Sequence, residues 1–153
     1  MVSETGVSPE FQQIVQELQS NTAYRELNLS YKRNMTSYDI NIISESLKLN
    51  TTATELIPSG CGLMNNHFQL LAEVLKHNKI LIRLSLSNNE STNMLDRTNI
   101  SDKGIITIAD ALSVNHTLQH FSMTNNKLSG TIKTRIDENW KHNHRNNFDY
   151  IHL

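Results

Sequence analysis

The sequence predicts an α/β fold, a right-handed solenoid with a short parallel sheet on its concave side and helices on its convex side. The first observation is a repeat, because asparagines follow helix-like apolar segments about every 28 residues, with one longer unit, at Asn21, Asn50, Asn78, Asn115 and Asn143. The second is that the spacing of apolar residues changes after these asparagines to the two-residue spacing of a strand. Units of this size cannot bury their apolar sides alone, so they must stack on one another.

The first predicted element is a helix without a strand of its own, over residues 8–20. Ser8 suits the N-cap, and Pro9 suits the first helical position. The apolar stripe of this helix consists of Phe11, Ile14, Val15 and Leu18. We expect the helix to cap the N-terminal end of the solenoid, and residues 1–7 to form a flexible tail.

Four strand–turn–helix repeats are predicted next. Three of their strand segments, "YRELNL", "LIRLSL" and "LQHFSM", place apolar residues at positions one, four and six, starting with Tyr24 in the first unit. Residues 146–153 are expected to close the C-terminal end, with Phe148 and Tyr150 at strand spacing. The whole of residues 8–153 is predicted to be one domain, whose repeats span about 24–52, 53–80, 81–117 and 118–145.

The repeated residues resemble the leucine-rich-repeat family, in its ribonuclease-inhibitor-like class. The family motif LxxLxLxx(N/C)xL occurs here as "LIRLSLSNN", with Asn89 ninth, and as "LQHFSMTNNKL", with Asn126 ninth. In "ATELIPSGCGL" Cys61 is ninth, although Pro58 replaces a leucine. A short amide or thiol there can meet backbone groups that the turn leaves without partners. The resemblance implies non-enzymatic binding of a protein partner, with inhibition of a partner enzyme by covering its active site as the sharper expectation.

Two further resemblances stay open. The segment "LSGTIKTRIDENWKHN", with "NFDY" after it, resembles the last repeat of tropomodulin-like actin-capping proteins, whose C-terminal domain has this size. The long third unit and the lack of a further basic C-terminal helix count against actin binding. The compact, asparagine-rich chain is also similar to leucine-rich-repeat effectors that intracellular bacteria deliver into host cells, which implies delivery into a host cell as an alternative location.

The expected binding surface is the concave face of the sheet together with a rim loop. The rim loop is the insertion at 90–99, in which Met94 and Leu95 are apolar; it is either a contact loop or a tolerated surface insertion. Tyrosine and arginine anchors within a polar field suit protein recognition, but an ordinary solvated sheet face is polar too. The concave-face candidates are Arg25, Glu26, Asn28, Tyr31, Glu55, Ile57, Ile82, Arg83, Ser85, Asn88, Gln119, His120 and Ser122.

Composition argues against several other functions. The net charge of -1 disfavours binding to nucleic acid. No apolar run reaches about 18 residues, and the polar start lacks the apolar core of a secretory signal, so no membrane segment and a cytoplasmic location are expected. The glycine-rich loop of a phosphate site and the ligand cluster of a metal site are both missing from the sequence, so no cofactor is expected.

Cys61 is the one residue that suggests an enzyme. As the single cysteine of the chain it cannot form an internal disulfide. A thiol-dependent enzyme using Cys61 is the second alternative function, and it requires a base within reach and a partly exposed thiol. Because the ninth position of the repeat faces inward, we expect a buried structural thiol instead.

Overall fold

The computed structural model describes residues 6–32, 35–89, 102–143 and 150–153. Helices and strands alternate along this part of the chain. The helices are α1 (Pro9–Gln19), α2 (Ser37–Leu49), α3 (Asn65–His77), α4 (Asp102–Leu112) and α5 (Gly130–Asn143). The strands are β1 (Glu26–Asn28), β2 (Glu55–Ile57), β3 (Arg83–Ser85), β4 (His120–Ser122) and β5 (Tyr150–His152). No helix in the described ranges is both long enough and apolar enough to cross a membrane.

The strands form one parallel sheet in the order β1-β2-β3-β4-β5. Each helix packs against the next helix along the chain. The units therefore stack in sequence order, which confirms the predicted α/β leucine-rich-repeat architecture, while its right-handed sense stays a prediction. The register partners across the middle of the sheet are Leu27, Leu56, Leu84, Phe121 and Ile151.

The repeated asparagines hold neighbouring units together. Asn21 accepts through Oδ1 from the backbone N–H of Thr51. Each of the other four donates its side-chain amide to a carbonyl in the last turn of the helix one unit earlier, a group that the helix itself leaves without a partner. In Asn78, Oδ1 also accepts from the backbone N–H groups of Ile80 and Leu81, at 2.8 and 2.7 Å. The amide-to-carbonyl pairs are Asn50 with Leu18, Asn78 with Leu47, Asn115 with Leu75 and Asn143 with Leu112, at 2.8, 2.6, 2.7 and 3.0 Å.

The ninth position of the repeat plays the predicted inward role. Asn89 is 1% exposed, and its Oδ1 accepts from the backbone N–H groups of Cys61 and Leu63. Its Nδ2 donates to the carbonyls of Pro58 and Leu86. One side chain thus satisfies backbone groups of two successive turns. Beyond the ends of the short strands, this buried amide takes the place of backbone hydrogen bonds between strands.

The N-terminal end differs from its sequence prediction in two places. Val7, expected in the flexible tail, is 4% exposed and belongs to the hydrophobic core. Ser8 precedes α1, but its hydroxyl makes no capping bond to that helix. Instead its backbone N–H and Oγ both donate to the carboxylate of Asp39 in α2, at 2.8 and 2.7 Å. A charged acceptor is the stronger partner for the hydroxyl, so Ser8 ties α1 to α2.

Asp39 also fixes the start of α2. It accepts from the backbone N–H and the hydroxyl of Thr36, and its own N–H donates to Thr36 Oγ1. Burial acts to raise the pKa of Asp39, but the hydrogen bonds from Thr36 and Ser8 outweigh it and hold the pKa below its ordinary value. The carboxylate therefore stays charged at neutral pH and keeps both helix starts in place.

One aromatic residue at the start of the sheet does not occupy the position that its spacing predicts. Tyr24, expected at the first inward position, is 80% exposed, and Ala23 packs against the core instead. The first repeat has no strand before β1 among the described residues, so this position lacks the neighbouring unit that covers it elsewhere. In β5, Ile151 pairs in register with Phe121 and packs on the core, whereas Tyr150 pairs with His120. Phe148 lies outside the described residues.

His67 connects the first and second repeats through a buried imidazole. The backbone N–H of Met64 donates to its Nδ1 at 3.1 Å, so Nδ1 carries no hydrogen. Nε2 then holds the ring hydrogen and donates to Ser37 Oγ at 2.9 Å. Burial lowers the pKa of His67, and protonation would destroy the acceptor at Nδ1.

We expect acidification to destabilise the fold through His67. The unfolded chain binds a proton near the ordinary pKa of about 6.5, whereas the folded chain binds it only at lower pH. The free energy of unfolding should therefore fall as the pH drops below about 6.5 and level off below the folded pKa. Urea unfolding at several pH values between 7 and 5 measures this slope. His67→Gln should flatten it and the exposed control His77→Gln should not; equal slopes in all three proteins would contradict the assignment.

Candidate functional site

The concave face is the side of the sheet opposite the leucine row, because successive strand residues point to opposite faces. It carries two rows of register-paired positions. The first row consists of Glu26, Glu55, Arg83 and His120. The second consists of Asn28, Ile57, Ser85, Ser122 and His152. The structure thus brings together most of the concave-face residues that the sequence predicts.

Charge is unevenly distributed along these rows. The carboxylates of Glu26 and Glu55 stand on the first two strands, whereas Arg83 and the imidazoles of His120 and His152 stand on the last three. The formal charges of these rows are thus two carboxylates on β1 and β2 and one guanidinium on β3, which is paired with Glu55.

A groove of about 280 Å³ lies on the concave face over β2 to β5. Leu84 and Phe121 of the buried row contribute to its floor. His152 is a groove residue that the sequence analysis does not predict, because only Phe148 and Tyr150 mark the closing segment there. The polar and half-buried lining residues are Ile57, Arg83, Ser85, His120, Ser122 and His152.

Arg83 is the central charged residue of this groove. Its Nε lies 3.2 Å from Oε2 of Glu55, an ion pair that does not have hydrogen-bond geometry. The Arg83 side chain is 43% exposed. A guanidinium has five N–H donors, so one carboxylate contact leaves donors for a second carboxylate or a carbonyl from a partner.

Hydroxyl groups join the strands along the end of the concave face. Ser59 and Ser85 hydroxyls lie 2.9 Å apart, and those of Ser87 and Ser122 lie 2.7 Å apart. Thr124 donates to Ser87 at 3.0 Å. Because these hydroxyls bond to one another across strands, they stiffen the surface and offer less free hydrogen-bonding capacity than their number suggests.

The remaining predicted residues differ in their exposure. Arg25 and Gln119 are exposed just before β1 and β4. Ile57 and Ile82, expected to be exposed, are half-buried, since each packs beside neighbouring strands. Met94 and Leu95 fall in the insertion, which lies outside the described residues.

The turns after β1 to β4 share a backbone feature that sequence reasoning missed. The eighth residue of each unit has a positive φ: 60° at Tyr31, 68° at Gly60, 58° at Asn88 and 56° at Asn125. Glycine and asparagine enter this left-handed region most easily. The Asn-Asn and Ser-Gly pairs at these turns could have indicated the positive φ from the sequence. Asn88 is further tied by Asn125, whose amide donates to its Oδ1 at 2.9 Å.

The surroundings of the Cys61 thiol suit a structural role rather than nucleophilic attack. Cys61 is 6% exposed, and its Sγ donates to the carbonyl of Leu29 at 2.8 Å. Burial raises the pKa of the thiol, which keeps it protonated at neutral pH. Within the described ranges, no group of three His, Cys, Asp or Glu side chains could hold a metal ion.

The stacked strand–helix units and the buried ninth-position residues define a leucine-rich-repeat type of fold. A solved structure titled "Leiomodin-1 Actin-Binding Site 2 (ABS2)" is similar, with a TM-score of 0.78 and 21% identity over 95% of this chain and 79% of that chain. A tropomodulin C-terminal domain from Caenorhabditis elegans is also similar, with a TM-score of 0.55 and 10% identity over 88% of this chain and 93% of that chain. No protein-family profile and no curated protein sequence matches the chain.

These likenesses concern the fold. They agree with the tropomodulin-like resemblance of the last repeat, and they add no support to the resemblance to bacterial effectors or to inhibition of an enzyme.

Proposed function

We propose that this chain is a non-enzymatic protein-binding domain whose concave face binds actin. The observation that carries the proposal is the groove over β2 to β5, where Arg83, His120 and His152 lie beside half-buried Ile57 on the face turned away from the core. An arginine and an apolar residue in a polar surround are typical of a protein interface.

Actin is favoured over other partners by two independent similarities. The sequence of the last repeat resembles tropomodulin-like proteins, and the fold resembles a domain whose title describes it as an actin-binding site. Since fold alone does not determine function, the assignment depends on the residues of the concave face. The rim insertion and the cytoplasmic location remain predictions.

The proposal predicts that Arg83→Glu weakens binding to actin by about tenfold or more. The new carboxylate would face Glu55 and remove the central cation of the groove, and a tenfold change corresponds to about 1.4 kcal/mol. Binding is measured with labelled monomeric actin by fluorescence and with filaments by co-sedimentation.

Arg135→Glu is the matched control. Arg135 lies on α5, away from the sheet, and is ion-paired with Asp110 at 2.6 Å in a similarly exposed position. This variant should bind within about twofold of the wild type, because exposed helix charges contribute little. Failure of the wild type to associate with either form of actin would remove the actin assignment, and equal losses in both variants would show that the concave face is not the binding surface.

A further inference from the structure

Tyr31 departs from the backbone rule that the other three turns follow. At the same position the later units have Gly60, Asn88 and Asn125, which are the residue types that best tolerate a positive φ. Tyr31 has a φ of 60° with a bulky side chain, so its backbone is strained.

Burial of the Tyr31 ring does not explain this strain. Tyr31 is 64% exposed, so most of the side chain stays in solvent. Its ring lies against the backbone of Gly60, where an added Cβ would be 2.5 Å from Cδ1 and 2.6 Å from Cε1 of the ring. Glycine at position 60 leaves room for the ring, which lies against the Gly60 backbone while most of its surface remains open.

The position of Tyr31 continues the concave face. It follows β1 by three residues, and its backbone N–H donates to Ser59 O at 2.8 Å, so it sits at the turn that borders the face. The adjacent Lys32 is neutralised by Glu10 at 2.6 Å. With that charge balanced, the open ring suits an apolar side chain more than a charged one.

We infer that Tyr31 is a partner-contacting residue, held in place before binding so that its ring packs against an apolar side chain of actin. The inference rests on the proposed function and adds a specific contact to it. A rigid aromatic anchor loses little conformational entropy on binding, which is how a strained residue can improve affinity at the expense of stability.

Tyr31→Asn separates the effect of the strain on stability from the effect of the ring on affinity. Asparagine adopts the left-handed region easily, and the substitution removes the ring. We expect its Tm to rise by about 2–4 °C and its actin affinity to fall by about tenfold. Tyr31→Phe keeps the ring and should leave both quantities near the wild-type values. Tyr24→Asn is the matched control, since Tyr24 is 80% exposed and outside the positive-φ set; it should change neither.

Each result decides one part of the inference. A lower Tm for Tyr31→Asn would mean that packing on Gly60 outweighs the strain, and it would overturn the inference. Unchanged affinity in Tyr31→Asn with a binding wild type would overturn the contact while leaving the proposed function intact. No binding by the wild type would overturn the proposed function and the contact together.

Discussion

Asn89→Ala is expected to lower the free energy of unfolding by about 4 kcal/mol. The substitution removes the acceptor of the Cys61 and Leu63 backbone N–H groups, at 3.0 and 3.2 Å. It also removes the donor to the carbonyls of Pro58 and Leu86, at 3.0 and 2.9 Å. Each buried group left without a partner costs about 1–3 kcal/mol, and some will find water.

Urea unfolding followed by circular dichroism measures this loss, and the neighbouring Asn88 provides the control. Asn88 is exposed and has a φ of 58°, so Asn88→Gly should stay within about 0.5 kcal/mol of the wild type. Similar midpoints for Asn89→Ala and Asn88→Gly would contradict the structural role of the ninth position.

Phe121→Ala is expected to cost about 4 kcal/mol as well, for a different reason. Phe121 is fully buried in the middle row of the sheet and stacks on Trp140 of α5, with ring centroids 6.2 Å apart. Removing the ring loses buried apolar area and leaves a cavity between β4 and α5.

Phe121→Leu is the matched variant for this site, because it keeps most of the volume and should cost about 1.5 kcal/mol or less. Both values come from the same urea titrations. Equal, small losses for the two variants would mean that the last helix does not pack on the sheet through Phe121, in contrast to the structure.

The repeat could be predicted from sequence because its physical causes are local. Leu84 and Leu86 are two residues apart because a strand has one buried face. An asparagine such as Asn78 follows each helix pattern because a helix ends with carbonyls that need donors. The same inward rule placed Cys61 correctly, since Asn89 and Asn126 at the ninth position also bond inward; the first unit is the exception, because Lys32 there pairs with Glu10 at the surface.

Features that depend on long-range partners could not be predicted in the same way. Ser8 has the sequence signature of an N-cap, but the carboxylate of Asp39, 31 residues away, takes its hydroxyl. Tyr24 fits the apolar spacing, yet the first repeat lacks the neighbour that would bury it. His152 lies in the groove because β5 pairs with β4 in a register that places it beside Ser122.

The sequence predicted which residues lie on the candidate surface, but not the contacts between them. Alternation in the strands identified Arg83 and His120 as outward residues. It did not reveal that Arg83 pairs with Glu55, or that hydroxyls such as Ser85 and Ser122 are occupied by cross-strand bonds. These contacts depend on which strands become neighbours and in what register.

Site-specific photocrosslinking to actin tests the central claim most directly. A benzophenone side chain is placed at Gln119, a predicted concave-face residue that is exposed immediately before β4, or at Glu45, exposed on α2. Binding through the concave face predicts a crosslinked product with actin from position 119 and none from position 45. Crosslinking from position 45 alone would contradict it.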